Sequence, residues 1–437
     1  MSKIARTIVI LTIGLGSAAR AQAQASSGLL GQMSTLFTQQ VATAPTPAGT
    51  GVVAHTGQFT DDPRTAATFL LVSQVSQQIG SQLTNFPLGS SAGGFTYGYD
   101  SELGTFQRTT DTFGPLFAER AATIGKGKAS FGMSYLHAKY DSLDGKDLGS
   151  GAIKFDLFHQ ILNPASYVQG DVIEADLKMN LTSDETAFLV NYGVTNRLDV
   201  GFAIPVVHVS MDLTYHATIL DFATHNVSPT THVFANGSKT QDFTSQGSAS
   251  GVGDIVLRGK YNVGKSGRGV ALGLDLRLPT GDKDNMLGEG STQTRVFMIA
   301  SAPVGSRVAP HLNVGYTFAS GGTATDAVNY VGGVEYGISP KATIVGDFIG
   351  RTFRDSLRLT DVSSVHAFQQ GPTAPTETTT LQSVGVVTGN LTSGLATLGL
   401  KVNPAGNLII SGNVLFPMNN AGLRTGVTPV IGFDYTF

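Results

Sequence analysis

The chain has 437 residues, of which only 14% are charged, with a formal net charge of -3. There is no Cys, which excludes disulfide-stapled folds, thiol chemistry and Cys-metal centres. The near-balanced charge has no basic stripe of the kind a nucleic-acid binder shows, so no nucleic-acid partner is expected.

The first 25 residues read as a signal peptide. Lys3 and Arg6 precede the apolar run IVILTIGLG, which gives way to small residues in SAARAQAQA, with cleavage expected after Ala23 or Ala25. The apolar run is too short to span a bilayer as a helix. No later stretch approaches the roughly 18 consecutive apolar residues of a spanning helix, yet the mean hydropathy is slightly positive. An exported chain of this kind hides its apolar surface in a core or shows it to lipid as a closed barrel.

Residues 26–93 form a helical N-terminal segment. SSGLLGQMSTLFTQQVA and RTAATFLLVSQVSQQIGSQL have helical spacing, and Phe69, Val72, Val75 and Ile79 make one apolar stripe in the second. Between them lies the Pro, Gly and Thr linker TAPTPAGTGVV. Two placements are open, a plug in the barrel mouth or a periplasmic segment, and on either the helices are expected to be dispensable for forming the barrel.

From about residue 94 to 437 the pattern changes to alternation with period two. Val270, Leu272, Leu274, Leu276 and Leu278 share one face, while Ala271, Gly273, Asp275 and Arg277 share the other. Leu198, Val200, Phe202 and Ile204 oppose Arg197, Asp199 and Gly201 in the same way. Leu312, Val314, Tyr316 and Phe318 oppose His311, Asn313 and Thr317. Short turns such as YGVTNRLDV, YGISPKATI and KVNPAGNLI alternate with long polar connections near 221–250, 280–292 and 356–379. The fold class is therefore all-β, a transmembrane antiparallel barrel of about 12–14 strands in the bacterial outer membrane, with its short turns in the periplasm. FTYGYDSELGTFQR is open between two barrel strands and a hairpin of the N-terminal segment. VIEADLKMNLTSDETAFLVNYG is open between one very long strand and two.

The stretches GDIVLRGKYNV, ALGLDLRLPTGD and HLNVGYTF resemble the outer-membrane barrel family named for the meta-pathway of phenol degradation. More distantly they resemble the long-chain fatty-acid and aromatic-hydrocarbon outer-membrane transporters. FGPLFAERAATIGKGKASFGMSY resembles the same family's first barrel hairpin. The resemblance implies a barrel, and with it small hydrophobic or aromatic solutes.

If the apolar faces meet lipid, the lumen receives Arg197, Asp199, Asp254, Arg258, Lys260, Asp275, Arg277, His311, Glu335, Asp347, Arg351 and Lys401. A lining of both signs suits a neutral or amphipathic solute, or a charge-braced wall with no channel. His208 and Ser210 share a strand face without a supporting motif, so the chain is not read as an enzyme. Asp282, Asp284, Asn285 and Glu289 offer oxygen ligands without EF-hand spacing, so neither metal nor cofactor is assigned.

The expected function is passage of small hydrophobic or aromatic molecules, with a structural or surface-interaction barrel as the alternative. The expected partners are outer-membrane lipid, a small hydrophobic solute and the barrel-assembly machinery. In the last strand Phe433, Tyr435 and Phe437 alternate with polar or small residues and resemble the signal that machinery reads.

Overall fold

The computed structural model describes residues 28–47, 58–84, 87–91, 94–100, 105–108, 111–160, 170–222, 232–264, 269–321, 324–369 and 374–437. The signal-peptide reading of residues 1–25 lies outside the described residues.

Twelve antiparallel strands form the barrel. In chain order they are β1 (Ala129–Leu143), β2 (Val172–Gly193), β3 (Leu198–Leu220), β4 (Val256–Asn262), β5 (Gly269–Arg277) and β6 (Thr292–Ser301). The second half comprises β7 (Val308–Ser320), β8 (Ala327–Ser339), β9 (Ala342–Gln369), β10 (Thr376–Ala405), β11 (Leu408–Pro417) and β12 (Thr428–Thr436). Each pairs with the next, and β12 closes on β1 with Val430 opposite Leu136 and Thr436 opposite Ser130. Closure removes both edges, so no backbone hydrogen-bonding group need face lipid.

Short turns join the strands at one end, for example 194–197 and the two residues 340–341. At 406–407 the reversal places Gly406 at φ 55°, where a side chain would be strained. The long connections gather at the other end.

Alternation sets the two faces. Leu272 and Leu274 are 51% and 49% exposed on the outside of β5, whereas Ala271, on the luminal face, is 0% exposed. The outward residues Val200, Leu257, Val296, Leu312, Ile344 and Leu398 continue this belt around the wall. Near the short turns Tyr192, Tyr261, Tyr336, Tyr435 and Phe437 stand exposed, and near the opposite ends stand Phe318 and Phe416. An apolar belt between aromatic girdles is the surface an outer-membrane barrel shows to lipid.

The strands differ greatly in length. β4, β5 and β6 have 7, 9 and 10 residues, close to what a tilted strand needs to cross a bilayer. β2, β3, β9 and β10 have 22, 23, 28 and 30, and so extend beyond it on the long-loop side. VIEADLKMNLTSDETAFLVNYG is thus one strand. Two further strands widen the upper wall: Ile153–Phe158 pairs with the outer part of β2, and Thr240–Val252 with the outer part of β3.

The N-terminal helices fill this upper mouth. α1 (Leu29–Leu36) runs into a π-helical turn over Phe37–Val41, and α2 (Pro63–Leu83) follows. Asp62 caps α2, accepting from the backbone N–H of Arg64 at 2.8 Å, with Pro63 at the first helical position. Burial works against the Asp62 carboxylate, but the side-chain and backbone bonds of Arg64 outweigh it and hold the carboxyl below its usual range. Val72, Val75 and Ile79 are almost wholly buried, as the stripe predicted. They form one core with Met33, Phe37 and the inward residues Leu177, Met179, Leu213 and Tyr215 of β2 and β3. Phe37 is the hub, 5.1 Å from the Tyr215 ring and 5.5 Å from Phe155.

The expected barrel start near residue 94 and the hairpin reading of FGPLFAERAATIGKGKASFGMSY both differ from the structure. Among the described residues Tyr97–Asp100 and Thr105–Arg108 pair only with each other, and the first barrel strand begins at Ala129. Residues 111–125 are an irregular segment inside the lumen. Its Pro and irregularly spaced small residues give it no face to show lipid.

Candidate functional site

The luminal segment has no strand or helix partner, so its buried backbone groups need side chains. Inward residues of the wall supply them. Gly114 donates to Glu335 at 3.1 Å, Leu116 and Phe117 to Asp347 at 3.2 and 3.3 Å, Glu119 to Asn313 at 2.6 Å, Ala121 to Ser301 at 3.1 Å and Ile124 to Asp199 at 3.0 Å. In the other direction, Lys401 Nζ donates to the Pro115 carbonyl at 2.9 Å, Asn313 to that of Glu119 at 2.9 Å and Asn262 to that of Ala121 at 2.5 Å. Residues from β3, β4, β6, β7, β8, β9 and β10 thereby hold one short segment across the barrel.

Two of its charged side chains, Glu119 and Arg120, tie the same walls together. Arg120 forms a salt bridge with Glu335, which is wholly buried, and donates to Thr112 at 2.6 Å. Glu119 accepts from Arg258 at 2.7 Å, and Lys260 stands 3.5 Å from both Glu119 and Asp199. His311 shares a 2.6 Å hydrogen bond with Asp347. Removing one partner of such a buried pair leaves the other uncompensated, which costs several kcal/mol, about 3–5.

The structure sorts the twelve expected lumen residues into five groups. Asp199, Lys260, His311, Glu335, Asp347 and Lys401 bind or brace the luminal segment. Arg258 and Asp275 link that level to the next, bonded to each other at 2.8 Å. Arg277 donates to the Thr84 carbonyl beyond α2 at 3.1 Å, and Arg351 lies over the Phe353 ring at 4.5 Å. Asp254 instead holds the loop before β6, accepting from Gly281 and Glu289 at 3.0 and 2.9 Å. Arg197 is a correction: it lies in the 194–197 turn, exposed, because β3 begins only at Leu198.

Sequence reasoning missed Glu119, Arg120, Asn262, Ser301, Asn313 and Arg295. Asn313 and Asn262 stand opposite the apolar faces of their strands, and alternation is the signal that marks them.

Above the luminal segment lies a cavity of about 200 Å³. Phe117 of the segment forms part of its floor, and Gln82 and Leu88 reach it from α2 and the residues after it. Five arginines line it, Arg258, Arg277, Arg295, Arg351 and Arg424, together with apolar side chains such as Ile349, Phe353 and Leu391. Among the described residues Asp275 is the one carboxylate in that lining.

The two enzyme and metal candidates have plainer roles. His208 lies on the outer face and bonds Ser250 of the adjacent strand at 2.6 Å, not Ser210. Asp282 caps the turn Lys283–Asn285, accepting from the Asp284 backbone N–H and the Asn285 side chain at 3.0 and 2.7 Å.

Residues 164–374 match the model of the family described as "Putative MetA-pathway of phenol degradation". GDIVLRGKYNV, ALGLDLRLPTGD and HLNVGYTF lie inside that match, so the resemblance they carried is borne out; residues 113–135 lie outside it. No curated protein matches the chain. Among solved structures, an outer membrane channel from Pseudomonas putida F1 is similar at TM-score 0.43 and 12% identity, over 72% of this chain and 98% of that one. A Pseudomonas aeruginosa FadL homologue is similar at 0.33 and 10%, over 79% and 96%. The Ralstonia pickettii toluene transporter TbuX is similar at 0.26 and 10%, over 72% and 90%.

Proposed function

We propose that the chain is an outer-membrane channel, not an enzyme, that passes small, mainly hydrophobic molecules. One observation carries this reading: a partly apolar cavity lies within the barrel, between a helix-filled mouth and a hydrogen-bonded luminal segment. Such a compartment has a use on a path across the membrane. The description of the matched family, tied to phenol degradation, supports an aromatic solute. The helices and the luminal segment act as plugs above and below it, and the charged wall residues serve as their anchors. Phe433, Tyr435 and Phe437 are proposed to guide assembly, their alternate rings being presented along the closing strand.

Uptake of toluene into liposomes containing the purified protein tests the reading. Flux above that of protein-free liposomes is expected, and a further rise when Glu335 and Asp347 are both replaced by Ala. The rival is a surface-interaction barrel without transport, which the filling of the lumen at two levels favours. Flux at the protein-free level in both proteins would establish the rival.

A further inference from the structure

We infer that the luminal cavity is a binding site for a small carboxylate carried on a single aromatic ring, with Arg277 and Arg351 facing the carboxylate. This deepens the passage reading and rests on it for its meaning, but the site is argued from its own chemistry.

The first observation is charge. Five guanidiniums line the cavity against one carboxylate, that of Asp275. Asp275 is already shared, bonded by Arg258 and by Arg295. Arg258 also binds Glu119, and Arg424 has Asp141 at 3.7 Å. Arg277 reaches the carbonyl of Thr84 and, among the described residues, forms no ion pair. Two acids outside that lining act on these arginines without an ion pair to them, Glu185 on Arg277 and Glu289, which also accepts from the Gln293 amide, on Arg351. Arg351 shares the lining with Arg277 and Arg295, whose like charges act on it. Such a site gains from an anion, and the planar fork of Arg matches a carboxylate with two parallel hydrogen bonds.

Shape is the second observation. A dry cavity of about 150 Å³ accommodates benzene. The cavity here, at about 200 Å³, has room for one ring and a carboxylate. Phe117, Ile349, Phe353 and Leu391 supply apolar surface to the lining, and the Arg351 guanidinium lies on the Phe353 ring. An aromatic ring packs against these residues with its charged end toward the arginines.

The mixed lining expected from sequence suited a neutral or amphipathic solute. The structure separates the signs by height. The luminal segment takes up Asp199, Glu335 and Asp347 below, and the cavity above it keeps the arginines.

Isothermal titration of the full protein in neutral maltoside micelles provides the test, with benzoate, benzyl alcohol, benzylammonium and hexanoate as probes. Benzoate should bind saturably and at least tenfold more tightly than each of the others. Arg277→Gln should weaken benzoate at least fivefold and leave benzyl alcohol unchanged, whereas Lys341→Gln, in an exposed turn, should change neither. If Arg277→Gln does not give a heat-modifiable barrel, Arg351→Gln replaces it with the same expectation. Benzoate binding no tighter than benzyl alcohol, or unaffected by the arginine variant, overturns the anion site. Hexanoate binding as tightly as benzoate overturns the aromatic part. Failure here is distinguishable from failure of the passage reading. Toluene flux without a benzoate preference removes only the site, and benzoate binding without any flux removes only the channel.

Discussion

At the scale of single residues, height along the wall decides what a side chain costs. Leu274 and Val365 both stand exposed on the outer face, at 49% and 75%. Leu274 lies within the nine residues of β5, inside the belt. Val365 lies four residues from the end of β9, on the extension beyond the membrane. Leu274→Arg should therefore cost about 2–4 kcal/mol in unfolding free energy if it sits near mid-bilayer. Val365→Arg should change it by less than about 0.5 kcal/mol, the usual range for exposed surface positions. Urea titration of the protein in lipid vesicles measures both, and equal costs would contradict the belt. Gly273 makes a poor luminal control, since a β-carbon there would meet the Phe297 ring at 2.2 Å.

A second residue-scale prediction concerns pH. His366, near the tip of β9, is packed among Phe158, Phe222 and Phe368 and bonds the Gly170 carbonyl at 2.6 Å. Burial pushes its pKa below the usual 6.5, against the opposing effect of that hydrogen bond. The unfolded tip binds the proton more readily, so its contribution to stability is complete above about pH 6.5 and declines as the pH falls from there toward the folded value. Amide exchange in β9 residues 360–369 should accelerate between pH 7.5 and 5.5 after correction for the intrinsic rate. His366→Phe should remove most of that dependence, and a variant that kept it would refute this assignment.

At the scale of elements, the luminal segment behaves as a strand whose ladder is built from side chains. Each anchor taken from a buried N–H leaves it unsatisfied, at about 1–3 kcal/mol. Asp347 holds two such groups and Glu335 one, besides the Arg120 guanidinium. Glu335→Ala with Asp347→Ala should release the segment while β1–β12 stay paired. The expected readout is faster proteolysis within residues 111–125 in a barrel that still shifts on heating, and unchanged proteolysis would show that the segment is held by packing alone.

The same element marks where legibility in the sequence ended. The strands could be read because lipid outside and polar groups inside impose period two, as in Val270 to Leu278. The second helix could be read because Val72, Val75 and Ile79 keep helical spacing. FGPLFAERAATI has neither period, and its partners, from Asp199 to Lys401, are contributed by distant strands. Only register brings them to one level. Register also separates Arg277, Arg295 and Arg351 from the acids below, so the charge of the cavity was not visible in the composition of the inward faces.

At the scale of the whole molecule, the barrel is built in two storeys with different solvents. In the lower one lipid surrounds a polar lumen, and strand pairing with side-chain anchors suffices. Above the belt, the inward faces of β2 and β3 carry Leu177, Met179, Leu213 and Tyr215, so there the wall is apolar inside. Water would fill that mouth were it not for α1 and α2, whose buried Val or Leu side chains contribute about 1.5–3 kcal/mol each. The helices are thus the core of the upper storey, which bears on their expected dispensability. Closure of the lower strands does not need them, whereas order in the extensions does. Val75→Asp places an unpaired carboxylate in that core, at a cost of several kcal/mol in the folded mouth. It should detach α2, speed trypsin cleavage at Arg64 and loosen residues 172–180 and 210–220 in hydrogen exchange, while protection across β4 to β8 stays as in the parent. Loss of protection throughout would mean that the two storeys fold as one unit and that the helices are needed for the barrel itself.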